Sequence, residues 1–238
     1  DRINTSQYLF SQKDEKILNY IVEKNAPNKF FIATATNWNY EKTKIPYAFL
    51  SRGINTFGDL SELKETAIRK YLKDDGRLKE FALDFLKRAD FNIKDYKVIE
   101  TDLPENVYLL LSEFIKKRMD IHERPKISTA IFEHKNSDNA ISFEEESMGT
   151  QIVFCFIPFI MDTLNNKKVM IVDELDKSLH PYLIEMIVQM FNDPEINKNG
   201  AQLIFNTHDT NLLKLNILRR DQIWFTEKDN NNGISDLY

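Results

Sequence analysis

The spacing of hydrophobic and polar positions divides this chain into three regions. In the first, residues 11–25 (SQKDEKILNYIVEKN) have the periodicity of an amphipathic helix. The stretch FFIATATNW at 30–38 is rich in β-branched and aromatic residues, which favours a short buried element. We therefore assign residues 1–58 to part of a larger α/β core.

The second region, residues 59–125, is predicted to be a helical insertion or subdomain. LKEFALDFLKRAD carries its apolar residues on one stripe and its charged residues outside that stripe, and ENVYLLLSEFIKKRM at 105–119 follows as a second helix. The charged outer faces are typical of a solvated surface. The apolar stripe consists of Leu78, Phe81, Ala82, Phe85, Leu86 and Ala89.

The third region, residues 126–238, alternates strand and helix patterns. ISTAIFEH and NAISFEEE, separated by KNSD, predict a β-hairpin. The apolar run IVFCFIPFIM then predicts a helix, KKVMIVDE a strand, PYLIEMIVQMF a helix, and AQLIFNTHD and RRDQIWFTEKD two further strands. This order predicts an α/β fold with a largely parallel sheet and flanking helices. The acidic run Glu144, Glu145 and Glu146 is interpreted as a solvated segment before a helix.

Composition and charge indicate a globular protein and bear on its possible partners and its location. The chain has 238 residues and 42% hydrophobic content, enough to bury a sizeable core. The net charge is −5 without a basic tract, so nucleic-acid binding is open but not indicated. The single Cys155 favours a reducing, cytoplasmic location. The apolar run at 152–161 contains Pro158 and is too short for a membrane span, so we expect no membrane partner.

Reactive side chains follow two of the predicted strands. VMIV leads into Asp173 and Glu174, and LIFNT leads into His208 and Asp209. If the strands are neighbours in a parallel sheet, these side chains meet at one edge, where ligands bind in such folds. A strand that ends in an acid is the Walker B pattern, in which Asp173 would help to hold the Mg²⁺ of a bound nucleotide. Glu174 could then orient or deprotonate the attacking water.

Other interpretations of these residues stay open. The acids could cap the next helix, and His208 could be a hydrogen-bonded structural residue. In a second hypothesis the protein is a metal-dependent nuclease or hydrolase. In a third it is a non-catalytic scaffold subunit that binds a partner through residues 59–119. The ligands of the second hypothesis would be Asp173, Glu174, Asp176, His180 and His208.

A third motif makes the combination more specific. SMGTQ supplies Ser147 and Gly149 at the start of a helix, where backbone N–H groups attract phosphate. The ordered set EESMGTQ, VMIVDELDKSLHP and LIFNTHD resembles the ABC-type ATPase heads related to the SMC, RecF and OLD proteins. Within that group it looks most like the bacterial AAA-family ATPases of anti-phage and abortive-infection systems, including the Septu and retron-associated ATPases. The resemblance covers the third region of the chain.

The resemblance implies an ABC-ATPase-like P-loop NTPase fold with ATP and Mg²⁺ as cofactors. Ser147, Gly149 and Gln151 match the signature motif, which in the family binds the γ-phosphate of nucleotide held by the opposite protomer. The implied partner is therefore a second copy of the chain, joined through a composite ATP site. The implied biology is phage defence, in which ATP-dependent dimerisation controls an effector such as a nuclease or toxin.

The remaining motifs match further roles in the family. Asp173 matches the Walker B acid associated with Mg²⁺, and Glu174 matches the catalytic glutamate. His208 matches the switch histidine that senses the γ-phosphate. The D-loop, which communicates across the dimer, is matched by Asp176, Ser178, Leu179 and His180.

One family motif is missing from this sequence. None of the six glycines begins or completes a G-x-x-x-x-G-K-[ST] sequence, so the P-loop, or Walker A portion, is absent. The family carries that loop near its N-terminus, and this chain starts at Asp1. We expect that the N-terminal part is truncated or omitted; the alternative is a degenerate subunit that contributes only half of a site. By itself, the chain is expected to hydrolyse ATP poorly or not at all.

Overall fold

The computed structural model describes residues 12–56, 60–110, 125–177, 179–214, 216–230 and 233–238. The chain divides into two compact units, Asp1–Ile54 and Asn55–Tyr238.

The described part of the first unit contains three helices. They are α1 (Gln12–Lys24), α2 (Phe31–Asn37) and α3 (Glu41–Arg52). The amphipathic pattern correctly predicts α1, but FFIATATNW forms the helix α2, in which only Ala35 is buried, so the expected short buried element is wrong. The Thr36 hydroxyl donates to the Ile32 carbonyl at 2.8 Å within the same helix. This bond lets a β-branched residue fit a helical backbone despite its strand preference.

The described part of the second unit combines helices with three small sheets. Its helices are α4 (Leu60–Leu72), α5 (Arg77–Arg88), α6 (Glu105–Leu110), α7 (Met148–Asn165) and α8 (Pro181–Asn192). Its strands are β1 (Ile54–Thr56), β2 (Ile93–Asp102), β3 (Lys126–His134), β4 (Ala140–Ser142), β5 (Val169–Val172), β6 (Gln202–Phe205), β7 (Thr226–Lys228) and β8 (Ser235–Leu237). Strand β1 contains the boundary between the two units.

The antiparallel sheet has the order β2-β3-β4. The hairpin predicted from ISTAIFEH and NAISFEEE is confirmed, with Phe132 opposite Ile141. Strand β2 pairs with β3 over its length, with Tyr96 opposite Phe132, and the sequence analysis did not predict it. It lies within the range that was predicted to be a helical insertion. Of the helix predicted at 105–119, the structure describes only α6, and residues 111–124 lie outside the described residues.

The parallel sheet has the order β1-β5-β6. Strands β5 and β6 are parallel neighbours, with Val172 opposite Phe205, as the strand and helix pattern predicts. The predicted strand RRDQIWFTEKD is only partly correct. Arg220–Gln222 forms a single 3₁₀ turn, and β7 covers just three residues, which pair with β8.

The core of the second unit is built around α7. The Phe154 ring stacks on Tyr71 with centroids 4.3 Å apart, and the Tyr71 hydroxyl donates to the Phe154 carbonyl at 2.9 Å. Phe132 meets the same Phe154 ring edge-on at 4.9 Å. Cys155 is fully buried, and burial raises the pKa of its thiol to about 12, so it is a core residue. By length and composition α7 could cross a membrane, but buried core helices meet the same criterion and most of α7 is buried here.

Candidate functional site

The predicted reactive side chains lie at one edge of the parallel sheet. Asp173 and Glu174 directly follow β5, and Thr207 and His208 follow β6 after one intervening residue. Because Val172 is paired with Phe205, the two strands end side by side at their carboxyl ends. Asp173, Glu174 and His208 are all exposed there. The expectation that the two strands are neighbours and share an edge is confirmed.

Asn206, the intervening residue, ties the two strand ends together. Its side-chain Nδ2 donates to Asp173 Oδ1 at 2.5 Å, and its Oδ1 accepts from the Glu174 backbone N–H at 2.5 Å. Sequence reasoning missed this residue. Its position at the end of an apolar strand, two residues before His208, is the signal that could have found it.

Glu174 has an unusual backbone conformation. Its φ is +50°, in the left-handed region that non-glycine residues seldom adopt. Lys177 contacts Glu174 twice, since its Nζ lies 2.9 Å from Oε2 and its backbone N–H donates to the Glu174 carbonyl at 2.9 Å. The side-chain hydrogen bond raises the pKa of Lys177. Lys177, which the sequence analysis also missed, gives the Glu174 carboxylate a cation partner on the surface.

Asp176 joins the loop after β5 to the loop after β6. Its carboxylate accepts from the His208 backbone N–H at 3.3 Å. Burial by itself would raise the pKa of Asp176, but hydrogen bonds from the Thr207 side chain and the His208 N–H outweigh burial and lower that pKa. The carboxylate therefore stays ionised and fixes the backbone that carries His208.

Two other residues of the predicted D-loop, Leu179 and His180, contribute to packing and to helix capping. Leu179 is buried, and Ser178 lies outside the described residues. His180 is the N-cap of α8, where its Nδ1 accepts from the Tyr182 N–H at 3.3 Å. The residue that caps the helix after β5 is thus His180, so the alternative in which Asp173 and Glu174 serve as that cap is wrong.

The predicted signature segment starts α7. Ser147 is the N-cap of this helix, and its hydroxyl oxygen accepts from the Thr150 N–H at 3.1 Å. Ser147 is also exposed to solvent. Gly149 lies in the first turn of the helix. The Gln151 side chain donates to the Glu146 carbonyl at 2.9 Å and so braces the segment that leads into the helix.

The acidic run before this helix is more than a solvated segment. The Glu146 side chain is only 7% exposed and lies 2.6 Å from His134 Nε2 on β3. Glu144 pairs with Lys64, and Glu145 accepts from the Ser142 N–H and hydroxyl. The solvated interpretation is therefore wrong for Glu146, because a buried carboxylate requires a partner and the hairpin supplies one.

A cavity of about 850 Å³ runs along β6 on the side away from β5. Among the residues that the structure describes, β6 pairs with no second strand on that side. Several apolar side chains of the cavity remain half-exposed or more, including Ile204 at 53% and Trp224 at 64%. The loop of Thr207 and His208 forms one end of its lining, so the cavity adjoins the site.

The side chains at this edge fit a magnesium ion that arrives with phosphate. Mg²⁺ is commonly held by one or two carboxylates together with substrate phosphates and water. Asp173 has an exposed carboxylate whose orientation is set by Asn206. Within the described ranges, no group of three or more His, Cys, Asp and Glu residues comes together to hold a metal ion by itself.

Comparison with known proteins gives a family match over most of the chain. No curated protein sequence matches the chain. A solved structure from "Structural biochemistry of ATP-driven dimerization and DNA stimulated activation of SMC ATPases" aligns at a TM-score of 0.41 and 8% identity, over 74% of this chain and 88% of that chain. A family model described as "AAA domain, putative AbiEii toxin, Type IV TA system" matches residues 4–214. Because this match spans most of the sequence, the chain belongs to that family and is an AAA-type ATPase domain.

Proposed function

We propose that the edge formed by the ends of β5 and β6 is the Walker B and switch-histidine half of an ATP-hydrolysing site. The observation that carries this proposal is the in-register parallel pairing of β5 and β6, with Asp173 and Glu174 after one strand and His208 after the other. Family membership supports nucleotide binding. The roles of the individual residues below are part of the proposal.

The chemistry is an in-line attack of water on the γ-phosphate. Glu174 orients the water and accepts its proton, and its exposed carboxylate at the strand end is accessible to that water. His208 contacts the γ-phosphate and stabilises its charge. Asp173 would hold the Mg²⁺, which when bound offsets the negative charge of the phosphates.

Ser147 and Gly149 are proposed to act on the nucleotide of a second copy. In the described residues no hydrogen bond joins Ser147 to Asp173 or His208, and Ser147 is exposed at a helix N-terminus. Such a terminus presents backbone N–H groups to an anion. A contribution across a dimer interface would account for the lack of such a hydrogen bond among the described residues.

The cavity beside β6 indicates where the strand that carries the missing phosphate-binding loop could pair. A parallel strand added at the open side of β6 would have its carboxyl end beside Asp173 and His208. A loop after that strand would reach the same edge of the sheet. We propose that a strand outside this sequence pairs there and supplies the G-x-x-x-x-G-K-[ST] loop that the chain lacks.

The proposed biological setting is bacterial phage defence. The matched family is described by a putative AbiEii toxin of a type IV TA system, which supports a defence or toxin context. In this proposal, ATP-dependent dimerisation of the chain controls a nuclease or toxin effector. The alternative metal-dependent nuclease would need His180 as a metal ligand, but His180 Nδ1 accepts from the Tyr182 N–H as the cap of α8.

The direct test is Glu174→Gln in the natural full-length protein. We expect ATP turnover to fall at least about 100-fold while ATP still binds, because the amide keeps the shape of the side chain but cannot accept the proton. The exposed Glu195, which lies after α8, provides the control Glu195→Gln with unchanged turnover. Unchanged turnover in Glu174→Gln would refute the role of Glu174. A wild-type protein without any ATPase activity would favour the scaffold hypothesis instead.

A further inference from the structure

We propose that Asn206 is a positioning residue that holds both acids of the site in their working orientation. This inference rests on the proposed function. In this inference Asn206 acts through its hydrogen bonds to Asp173 and Glu174.

One side chain, that of Asn206, makes a pair of hydrogen bonds to the two acidic residues. The Asn206 amide donates through Nδ2 to Asp173 Oδ1 and accepts through Oδ1 from the Glu174 N–H. A carboxamide offers a donor and an acceptor in one rigid plane. A carboxylate could not donate to Asp173, and a hydroxyl is too short to span both partners.

The backbone of Asn206 is itself fixed by two hydrogen bonds. Its N–H donates to the Val172 carbonyl at 3.3 Å, and its carbonyl accepts from the Leu175 N–H at 3.1 Å. The residue therefore contacts the chain before and after the two acids. With both its backbone and its side chain bound, Asn206 closes the turn that carries Asp173 and Glu174.

The backbone conformation of Glu174 also requires contacts that hold it. A left-handed backbone at a residue with a side chain persists only where surrounding contacts hold it. The Asn206 Oδ1 accepts the N–H of that same residue. Without this acceptor, the Glu174 backbone can relax to an ordinary φ, and its carboxylate then points elsewhere. Partners that orient a metal ligand typically change affinity or activity by about 10-fold to 100-fold when removed.

The experiment compares Asn206→Ala with Asn139→Ala in the full-length protein. Asn139 is an exposed asparagine in the turn between β3 and β4, and it is not one of the residues of the proposed site. For Asn206→Ala we expect kcat to fall about 10-fold to 100-fold and the half-activating Mg²⁺ concentration to rise, with KM for ATP within about twofold. Asn139→Ala should leave all three constants unchanged.

A second variant, Asn206→Asp, guards against a simple loss of folding. Its carboxylate has the size of the amide and still accepts from the Glu174 N–H, but it cannot donate to Asp173. We expect the kcat of Asn206→Asp to fall as for Asn206→Ala although its circular dichroism spectrum matches that of the wild type.

The outcomes separate this inference from the proposed function. Loss of turnover in Glu174→Gln together with normal kcat and Mg²⁺ dependence in Asn206→Ala would overturn the role of Asn206 alone. An Asn206→Ala protein with less folded material but unchanged Mg²⁺ dependence, or an Asn206→Asp protein with the kcat of the wild type, would also overturn it. Unchanged turnover in Glu174→Gln would overturn the proposed function, and the inference with it.

Discussion

Strands β5 and β6 are neighbours of equal length and similar composition, yet their environments differ. In β5, Met170 is fully buried and Val172 is 4% exposed. In β6, Ile204 is 53% exposed and Gln202 is exposed as well. Strand β5 lies between two strands and contacts α7, whereas β6 borders the cavity of about 850 Å³. Apolar sequence thus predicts a strand, but it does not reveal which side of the strand is covered.

The largest expected effect is a difference in stability between a substitution in β5 and one in β6. Met170→Ala should lower the free energy of unfolding by about 2 to 5 kcal/mol, because it leaves a cavity in the core. Ile204→Ala should cost less than about 1 kcal/mol, since that side chain already contacts solvent. Urea denaturation of this chain, followed by circular dichroism, measures both.

The cost of Ile204→Ala also tests whether a further strand covers β6. If a strand outside this sequence covers β6, the same substitution should cost more in the full-length protein than in this chain. Equal small costs in both proteins would contradict the proposed strand. A large cost for Ile204→Ala in this chain would contradict the open side of β6.

An intermediate effect is expected at the amino end of β5. Asp162 on α7 is 17% exposed and pairs with Lys168, just before β5, at 2.9 Å and with Lys70 on α4 at 3.4 Å. Burial alone would raise the pKa of Asp162, but the Lys168 hydrogen bond and the Lys70 charge outweigh burial and lower that pKa. A lowered pKa means that the ionised form is favoured in the folded protein.

Asp162→Asn should therefore destabilise the chain by about 1 to 3 kcal/mol at neutral pH. The stabilisation by the carboxylate is fully present above the pKa of the unfolded state and is lost as the pH falls through the lower, folded pKa. The difference between Asp162→Asn and wild type should accordingly shrink in strong acid. Urea denaturation at several pH values measures it, and a pH-independent difference would exclude the ionised pair as its cause.

The smallest expected effect requires no substitution. Gln202 and Asn206 direct their N–H groups to β5, so the N–H groups of Leu203 and Phe205 face the open side. Hydrogen exchange should be faster at Leu203 and Phe205 than at the N–H groups of Met170 and Val172. Equal protection of both strands would show that β6 is covered on both sides.

The elements around the site were predictable because their patterns are long and unmixed. The apolar run of α7 and the VMIV and LIF strands leave little ambiguity, and each strand leads into the predicted acids or histidine. The order of these segments also predicted the AAA-family assignment. The anti-phage type and the control of an effector stay predictions.

Other features depend on contacts that no local pattern reveals. Strand β2, IKDYKVIETD, mixes charged residues with few apolar ones, and its pairing with β3 over its whole length fixes it as a strand. Asn206 looks like an ordinary turn residue in sequence, and its role appears only when β6 lies beside β5. In sequence, Glu146 belongs to an acidic run that is typical of a surface, and its partner, His134, lies across the hairpin.

The central claim is that two copies share each ATP site, and mixing two inactive variants of the full-length protein tests it. Glu174→Gln removes the proton acceptor, and Ser147→Asp keeps a good N-cap but places a negative charge against the γ-phosphate. Each variant alone should be inactive. An equal mixture should recover about a quarter of the wild-type ATPase rate, because half of the dimers are mixed and each mixed dimer has one complete site. A mixture that stays inactive, although the subunits exchange, would contradict a shared site.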